Sequence, residues 1–414
     1  MSVHNRHILE QTPNQTLISL KQNNLTFIDR ILRKLTESIS SGSVIFKLEN
    51  GKAIICDSGN KGPDATINIH SYKVIKRLLS AGYLGLAEGY INKEWSSPSL
   101  ENVFNFGAAN MIALDQNLTE NLFVRLSCKL TRFLQKNSKR GSRKNIANHY
   151  DLGNDFFLEW LDSTMTYSSG LFSDKKEKLN IAQNRKYQRI IDELDIEESQ
   201  SVLEIGCGWG GFAEYTARKT GSNILGITIS REQHDFAVKR IDRTDLAEKV
   251  TISLQDYREV TGQYDKIVSI EMLEAVGEAY WPVYFKTISD RLNKNGTAMI
   301  QVITVPDGYF DYYRNSMDFI QRYIFPGGML LCPAKIKEHS EKVGLKLIDA
   351  HMFGSSYAQT LKLWQLAFQT RWDRIEKLGF DEKFKRIWEY YLDYTAAGFR
   401  SGSINVGQFH LRKL

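Results

Sequence analysis

The chain has 414 residues, of which 42% are hydrophobic and 25% are charged, a composition typical of folded globular proteins. Its apolar runs, such as residues 298–305, are too short for a membrane-spanning helix, and residues 1–15 lack a signal-peptide core. Four cysteines stand far apart without a CxxC pair, which argues against a disulfide framework and a zinc site. We therefore expect a cytoplasmic protein of two or three domains, with a modest net charge of +6.

Residues 1–120 are predicted to form a small α+β domain. Two short β-rich runs, residues 43–48 and 53–57, flank Asn50-Gly51, a pair that favours a two-residue hairpin turn. Residues 66–69 are a third candidate strand, and residues 74–79 and 84–91 predict helices. Because no catalytic cluster appears here, we interpret this part as a lipid-handling or assembly domain.

Residues 121–147 predict a basic amphipathic helix that links this domain to the rest. Between residues 121 and 148 there are eight Lys or Arg residues and no acidic residue. Arg125, Lys129, Arg132 and Lys136 share one face, opposite an apolar stripe. Such a helix suits an anionic bilayer surface; the alternative is a helix packed on the protein with solvated charges. Nucleic acid is disfavoured, because the stretch lacks the regular interleaving of aromatic and basic residues that supports base stacking.

Residues 148–414 predict a Rossmann-like domain, because strands and helices alternate. Helices are expected from Phe212, Glu232 and Trp281. Two later runs, residues 345–350 and 407–411, would complete a seven-stranded sheet, with the last strand antiparallel. The five earlier candidate strands are residues 201–205, 223–228, 250–254, 266–270 and 297–304.

A glycine-rich turn follows the first of these strands, with the pattern Gly206-x-Gly208-x-x-Gly211. Glycines allow a tight turn and a close approach of the backbone to a ligand at the helix N-terminus. The pattern also fits a dinucleotide site, which would want an acidic residue about 20 residues further on. The second strand instead ends in residues 226–230 without an acid, which disfavours a nicotinamide cofactor.

At this point the sequence resembles cyclopropane-fatty-acyl-phospholipid synthases and their mycolic-acid relatives. The resemblance covers nearly all of residues 146–414 and implies a class I methyltransferase fold behind the N-terminal domain. Its motifs, in chain order, are residues 148–157, 165–169, the glycine loop, 226–230 with Gln233, 255–257, 271–277, 325–328, 357–361 and 397–400.

The resemblance implies S-adenosyl-L-methionine as the methyl donor. Gln233 would contact its ribose, and Asp256 and Tyr257 would lie at its adenine. The further residues that the resemblance places on this cofactor are Tyr150, Tyr167, Ser168, Gly206, Gly208 and Thr228.

The implied reaction is methyl transfer to the double bond of an unsaturated phospholipid acyl chain, followed by proton loss that closes a cyclopropane ring. The resemblance also implies a bicarbonate ion as the base. The five positions that would hold it are here Ser169, Glu274, Gln301, the backbone of Ile303, and Tyr357.

Ser169 and Gln301 replace a Cys and a His of the family pattern. Both can hydrogen-bond an oxyanion, Ser169 through its hydroxyl and Gln301 through its amide, but neither is a strong base. The altered anion site leaves two alternatives open, a methylene- or methyl-branched product and a catalytically idle lipid-binding homologue.

The expected partners follow from the same resemblance. They are unsaturated phospholipid and the anionic inner face of the membrane, with the protein bound peripherally and no role for nucleic acid. A homodimer formed through the N-terminal domain is what the resemblance suggests.

Overall fold

The computed structural model describes residues 27–111, 113–114 and 152–414. The chain divides into two compact units, Met1–Glu120 and Asn121–Leu414. Among the described residues, no helix combines the length and apolar character needed to cross a bilayer. The basic segment 121–147 and Tyr150 lie outside the described residues.

The N-terminal unit is built on a four-stranded sheet in the order β2-β1-β3-β4. Its strand β3 pairs parallel to β1, and β4 pairs antiparallel to β3. Its elements are α1 (Phe27–Thr36), β1 (Ser43–Lys47), β2 (Ala53–Asp57), β3 (Asp64–Ile69), α2 (Lys73–Ile91), β4 (Trp95–Ser96) and α3 (Leu100–Ala109).

The predicted hairpin is confirmed, with one difference in its turn. Strands β1 and β2 pair antiparallel from Ser43–Asp57 to Lys47–Ala53. Leu48 and Lys52 close the ladder, so the loop has three residues and ends at Gly51, whose φ of 80° is left-handed. The two helices predicted at residues 74–79 and 84–91 are confirmed, because the helical span α2 is interrupted at Gly82, whose φ of 57° and ψ of −137° are not helical and are tolerated by glycine.

The second unit is a seven-stranded sheet flanked by helices. Its strands are β5 (Ser201–Ile205), β6 (Asn223–Thr228), β7 (Val250–Leu254), β8 (Tyr264–Ile270), β9 (Leu292–Thr304), β10 (Leu345–Met352) and β11 (Asn405–Lys413). Its helices are α4 (Asn154–Trp160), α5 (Leu179–Leu194), α6 (Gly211–Thr220), α7 (Arg231–Asp242), α8 (Trp281–Arg291), α9 (Phe310–Asn315), α10 (Pro333–Glu341), α11 (Gly354–Thr370), α12 (Trp372–Lys377) and α13 (Glu382–Ser401).

The sheet has the order β10-β11-β9-β8-β5-β6-β7. Strand β11 runs antiparallel to both β9 and β10, while β5 to β9 pair parallel to one another, which confirms the predicted topology. Strand β9 begins at Leu292, five residues before the predicted start. The polar run that ends in Asn295-Gly296 resembles a turn, and Asn295 does adopt a left-handed φ of 61°, yet the strand continues through it.

Two apolar cores pack on the two faces of this sheet. One contains Leu203 and Ile205 with Phe285 of α8, and the other contains Val202 with Phe212 of α6. The alternation of side chains along β5 explains this division, because neighbouring residues point to opposite faces. Since β5 to β9 are parallel, their carboxyl ends meet at one edge of the sheet, where ligands of such folds bind.

Candidate active site

The glycine loop lies at the carboxyl end of β5. The backbone N–H groups of Gly206 and Cys207 donate to the carbonyl of Ile227 at 3.0 and 2.9 Å, which ties the loop to β6. Gly206 and Gly208 have left-handed φ angles of 83° and 54°. A Cβ atom on Gly206 would lie 2.9 Å from Cγ of Met272, so this position has no room for a side chain. The loop therefore offers bare backbone to a ligand at the start of α6.

The end of β6 carries the residues predicted for the ribose. Thr228 donates through Oγ1 to Oε1 of Gln233 at 2.9 Å, and both residues are buried. Ser230 caps α7, because its Oγ accepts the backbone N–H of Gln233 at 3.3 Å. Since Oε1 is engaged, Nε2 is the group of Gln233 that can donate to a ligand hydroxyl.

The residues predicted for the adenine follow β7. The carboxylate of Asp256 accepts two hydrogen bonds from the guanidinium of Arg258, at 2.8 and 2.6 Å, so its charge is already paired. That guanidinium lies 5.4 Å from the ring centre of Tyr257. Burial raises the pKa of Tyr257 to about 12, and its hydroxyl lacks a hydrogen-bond partner among the described residues. The geometry thus makes Tyr257 an apolar wall and Asp256 an anchor for Arg258.

Glu271, directly after β8, is the centre of the hydrogen-bond network in the site. Its Oε1 accepts the backbone N–H of Ser169 at 3.0 Å and Nε2 of Gln301 at 2.8 Å. Its Oε2 accepts the hydroxyl of Tyr357 at 2.6 Å. Ser169, Gln301 and Tyr357, three of the five residues predicted to bind a bicarbonate ion, therefore donate hydrogen bonds to the carboxylate of Glu271. The hydroxyl of Ser169, predicted to hold the anion, instead donates to the carbonyl of Gly170 at 2.8 Å.

The backbone of Glu271 is left-handed, with a φ of 50°. That conformation costs a residue with a side chain about 1–2 kcal/mol, and such outliers cluster at functional sites. The backbone N–H of Glu271 donates to the carbonyl of Gln301 at 2.8 Å, which fixes the turn. The turn aims the carboxylate at Ser169 and Tyr357, residues 102 and 86 positions away in the chain.

A relay of buried amides sets the orientation of Gln301. Arg189 of α5 donates through Nη1 to Oε1 of Gln408 at 2.8 Å, and Gln408 donates through Nε2 to Oε1 of Gln301 at 3.1 Å. Because a guanidinium has no acceptor, Arg189 fixes which way each amide points. Gln301 is thereby left with its NH₂ group toward Glu271, and the carboxylate oxygen there must accept.

Glu274 occupies a different environment three residues further on. Its Oε1 accepts the backbone N–H of Ile303 at 2.5 Å, while its Oε2 is buried without a hydrogen-bond partner among the described residues. Burial, aided by the nearby charge of Glu271, raises the pKa of Glu274 to about 8. A pKa of about 8 favours the protonated form of Glu274 at neutral pH, and among the described residues its side-chain oxygens form no hydrogen bond with Tyr357, Gln301 or Ser169.

The pKa of the Glu271 carboxyl is also raised by burial, but several groups oppose that rise. The first is the charge of Lys186, and the others are the hydrogen bonds from Tyr357, Ser169 and Gln301. Of the two carboxyl groups, Glu271 is the one that the site stabilises as an anion.

Lys186 of α5 is fully buried beneath this network. Its Nζ donates to Oγ of Ser168 and to Oε1 of Gln183, both at 2.7 Å. Burial lowers the pKa of Lys186 to about 7, against the pull of Glu271, Asp162 and Glu204. Ser168, predicted to contact the cofactor, is held in place by this lysine. Glu204 of β5 is also buried, and burial raises its pKa to about 8.

Aromatic side chains form the wall around Tyr357 and Glu271. Tyr357 packs against Phe399 with ring centres 4.4 Å apart, and Tyr167 packs against Trp364 at 5.3 Å. The hydroxyl groups of Tyr167 and Tyr391 form a hydrogen bond of 2.9 Å, which fixes the orientation of the Tyr167 ring. The site therefore joins one stabilised anion to several π faces.

The sequence-predicted site residues come together at this strand edge, apart from Tyr150, which lies outside the described residues. Sequence reasoning missed Glu271, Lys186 and Gln408. One signal for Glu271 was available: it is a charged residue placed directly at the end of the apolar strand that the sequence predicts for residues 266–270. Nothing in the sequence pattern marks Gln408 or Lys186 as contacts of the site.

The strand order, the glycine loop and the site at the carboxyl edge define a class I S-adenosylmethionine-dependent methyltransferase. The family model of mycolic acid cyclopropane synthetase matches residues 137–409, and the chain belongs to this family. The residues present fit S-adenosylmethionine. The backbone at Gly206 has no side chain to block a ligand, and the side-chain amide of Gln233 is oriented by its hydrogen bond with Thr228.

Two relatives match over most of their length. Tuberculostearic acid methyltransferase UfaA1 of Mycobacterium tuberculosis (strain ATCC 25618 / H37Rv) is 39% identical over 346 residues, which cover 81% of this chain and 80% of the relative. Cyclopropane-fatty-acyl-phospholipid synthase of Escherichia coli (strain K12) is 34% identical over 349 residues, which cover 84% of this chain and 88% of the relative.

A solved structure shows the same fold. The crystal structure of mycolic acid cyclopropane synthase CmaA1 complexed with SAH and CTAB superposes with a TM-score of 0.62 at 28% identity, over 66% of this chain and 98% of that chain. The protein is thus an enzyme, an S-adenosylmethionine-dependent lipid methyltransferase of the cyclopropane synthase type.

Proposed function

We propose that this enzyme transfers the methyl group of S-adenosylmethionine to the double bond of an unsaturated phospholipid acyl chain and forms a cyclopropane fatty acyl chain. The observation that carries the proposal is the adjacency of two sites. Met272 packs against Gly206 of the cofactor loop, and the preceding residue, Glu271, presents a buried carboxylate between aromatic side chains. A methyl donor in the loop would therefore lie beside an anion and π faces.

The proposed chemistry needs positioning, charge stabilisation and a base. The π electrons of the alkene form a bond to the methyl carbon while the carbon–sulfur bond breaks and sulfur keeps its electron pair. A carbocation is then left on the acyl chain. Removal of a proton from the transferred methyl group frees the C–H electron pair, which closes the three-membered ring. The loss of one proton balances the loss of the sulfonium charge.

The aromatic wall supports the cationic step. A cation over an aromatic face is stabilised by about 2 kcal/mol or more when water is excluded. Tyr357, Trp364 and Phe399 are buried, Tyr357 packs against Phe399, and Tyr167 packs against Trp364. The same faces are apolar, as a channel for an acyl chain requires.

The choice of phospholipid as substrate rests on the sequence and on one relative. The Escherichia coli relative is named for a phospholipid product, and residues 121–148 of this chain carry eight basic residues without an acid. Each cation near an anionic bilayer contributes roughly 1 kcal/mol to binding. We propose that this segment brings the enzyme to the inner face of the membrane as a peripheral protein.

A second candidate product is a methylene- or methyl-branched chain. It is favoured by the replacement of two predicted anion-binding groups, at Ser169 and Gln301, and by the name of the relative tuberculostearic acid methyltransferase. A methyl branch would need a hydride donor from another protein, because the sequence shows no nicotinamide or flavin motif.

The test is mass spectrometry of acyl chains after incubation of the enzyme with S-adenosylmethionine and vesicles of monounsaturated anionic phospholipid. We expect a gain of one CH₂, and chemical ring-opening then separates cyclopropane from methylene. Vesicles of saturated phospholipid are the control, since they offer no alkene. Cofactor binding without any mass gain would contradict the proposal and favour an idle lipid-binding homologue.

A further inference from the structure

We propose that the carboxylate of Glu271 is itself the general base of the reaction and takes the place of an external bicarbonate ion. This inference rests on the proposed transfer of a methyl group to an acyl chain. It differs from the expectation drawn from the sequence, in which the base was a bound anion and Glu274 was the carboxylate that held it.

The residues present do not fit a bicarbonate ion. The donors from Ser169, Gln301 and Tyr357 are all directed at Glu271, at 3.0, 2.8 and 2.6 Å. The fourth expected donor, the N–H of Ile303, is directed at Glu274. An external anion would have to displace a carboxylate from three hydrogen bonds and lie beside its negative charge. Like charges that share such a site strongly disfavour each other.

The contacts also indicate which oxygen takes the proton. A carboxylate oxygen has two lone-pair directions, and Oε1 of Glu271 uses both, for Ser169 and for Gln301. Oε2 accepts one hydrogen bond among the described residues, from Tyr357, and keeps a second direction. The proton from the transferred methyl group therefore goes to Oε2. Glu271 becomes neutral, and its proton leaves to solvent after the products are released.

Two features oppose the rise in the pKa of Glu271 that burial causes, and so favour its ionised form before that step. Arg189 fixes the direction of the amide relay, so Gln301 can only donate to Oε1. The buried ammonium of Lys186 lies behind Ser168 and pairs electrostatically with the carboxylate. The left-handed backbone at Glu271 also supports a functional role for this residue, since the strained conformation brings the carboxylate to its donors.

The experiment measures turnover of vesicle-bound monounsaturated phospholipid in buffer freed of carbon dioxide, with and without added millimolar bicarbonate. The variants are Glu271→Gln and Glu271→Gly, and the matched control is Glu341→Gln, a half-exposed glutamate of α10. Cofactor affinity of each protein is measured by calorimetry. Binding of ¹³C-labelled bicarbonate is followed by NMR, as a readout independent of activity.

We expect the wild-type rate to change less than twofold when bicarbonate is removed. Glu271→Gln is expected to lose at least about 100-fold in kcat, within the range for a general base, with cofactor affinity within threefold of wild type. Glu271→Gly opens the anion position, so we expect it to bind labelled bicarbonate and to regain at least tenfold in rate when bicarbonate is added.

The proposal is overturned if the wild type loses tenfold or more in bicarbonate-free buffer, or if Glu271→Gln keeps more than a tenth of the activity. The second result remains informative even where Glu271→Gly does not fold. If the wild type forms no lipid product in either buffer while it binds the cofactor, it is the proposed function that fails, which is a distinguishable result.

Discussion

Gln301 and Glu271 hold each other through both backbone and side chain. The backbone N–H of Glu271 donates to the carbonyl of Gln301 at 2.8 Å, and Nε2 of Gln301 donates back to Oε1 of Glu271 at 2.8 Å. The pair lies where β8 ends beside β9. Strand β9, which contains Gln301, thus fixes both the strained turn at Glu271 and the orientation of its carboxylate.

Gln301→Leu should remove the side-chain half of this pair. A hydrogen bond to a charged group contributes about 1.5–3 kcal/mol, so we expect kcat to fall roughly 10- to 100-fold while the affinity for S-adenosylmethionine is unchanged. Gln188→Leu is the matched control, because this half-buried glutamine of α5 bonds to Tyr215 and Asp192, outside the network of Glu271. Steady-state kinetics on vesicles would check this, and a kcat within twofold of wild type would show that the contact is dispensable.

Gln408→Leu should act through Gln301, because Gln408 is a positioning residue that does not contact Glu271. We expect a fall in kcat of roughly tenfold, smaller than that of Gln301→Leu, since the amide of Gln301 can then rotate. The double variant should be no slower than Gln301→Leu alone, the coupling expected for one relay. If the two substitutions lower kcat by factors that multiply in the double variant, Gln408 and Gln301 act independently and do not form one relay.

Glu274→Gln tests the protonation of the second carboxyl group. The pKa of Glu274 is about 8 in the folded protein and near 4.5 when unfolded, so between these values the folded state holds a proton that the unfolded state has lost. Its contribution to stability is full below the unfolded pKa and is lost as pH rises through the folded pKa, by up to about 1.4 kcal/mol per pH unit.

Glutamine cannot titrate, so the difference in free energy of unfolding, wild type minus Glu274→Gln, should fall as pH rises from about 5 to 8. Urea denaturation at several pH values measures it. The buried Glu204 titrates in both proteins, so its contribution cancels in the difference. Parallel curves would mean that Glu274 is ionised throughout.

Lys186→Met should shift the pH dependence of turnover. The charge of Lys186 lowers the pKa of Glu271, and the base acts only when ionised. Removal of this charge should raise the pKa of Glu271, so the acid limb of the kcat profile should move to higher pH. Lys362→Met, an exposed position on α11, is the control. An acid limb that stays in place would exclude electrostatic coupling of the two groups.

Gly206→Ala should weaken cofactor binding through crowding. The new Cβ would meet Met272 at 2.9 Å, whereas in the control Gly262→Ala, at a φ of 82° close to the 83° of Gly206, the nearest atom is the hydroxyl oxygen of Tyr264 at 3.6 Å. Both variants should lose about 1 kcal/mol of stability from the left-handed backbone. Calorimetry should show affinity for S-adenosylmethionine reduced roughly tenfold only in Gly206→Ala; equal affinities would refute the loop assignment.

The sheet was predictable from sequence because its signals are local. Apolar runs, the glycine loop and helix starts at Phe212, Glu232 and Trp281 each need only a few neighbouring residues, and the structure confirms them. The site was only partly predictable. Glu271 and Glu274 are three residues apart in one motif, and only the left-handed turn at Glu271 decides which of them meets Tyr357.

Ser169 and Gln301 show the same limit. From the sequence, their side chains are predicted to hold an anion, since both can hydrogen-bond an oxyanion. The hydroxyl of Ser169 is engaged by Gly170, and the amide of Gln301 is directed by Gln408, 107 residues away. A contact between residues so far apart in the chain depends on the pairing of β9 with β11, and local sequence motifs do not specify that pairing.

The proposed mechanism requires that a base in this site removes a proton from the transferred methyl group. Its most direct test is mass spectrometry of phospholipid acyl chains formed with S-adenosylmethionine that carries a fully deuterated methyl group. We predict that the added carbon keeps two deuterium atoms, because the third leaves to Glu271. A product that keeps all three would mean that the proton is lost from the acyl chain instead, and that no base acts on the transferred methyl group.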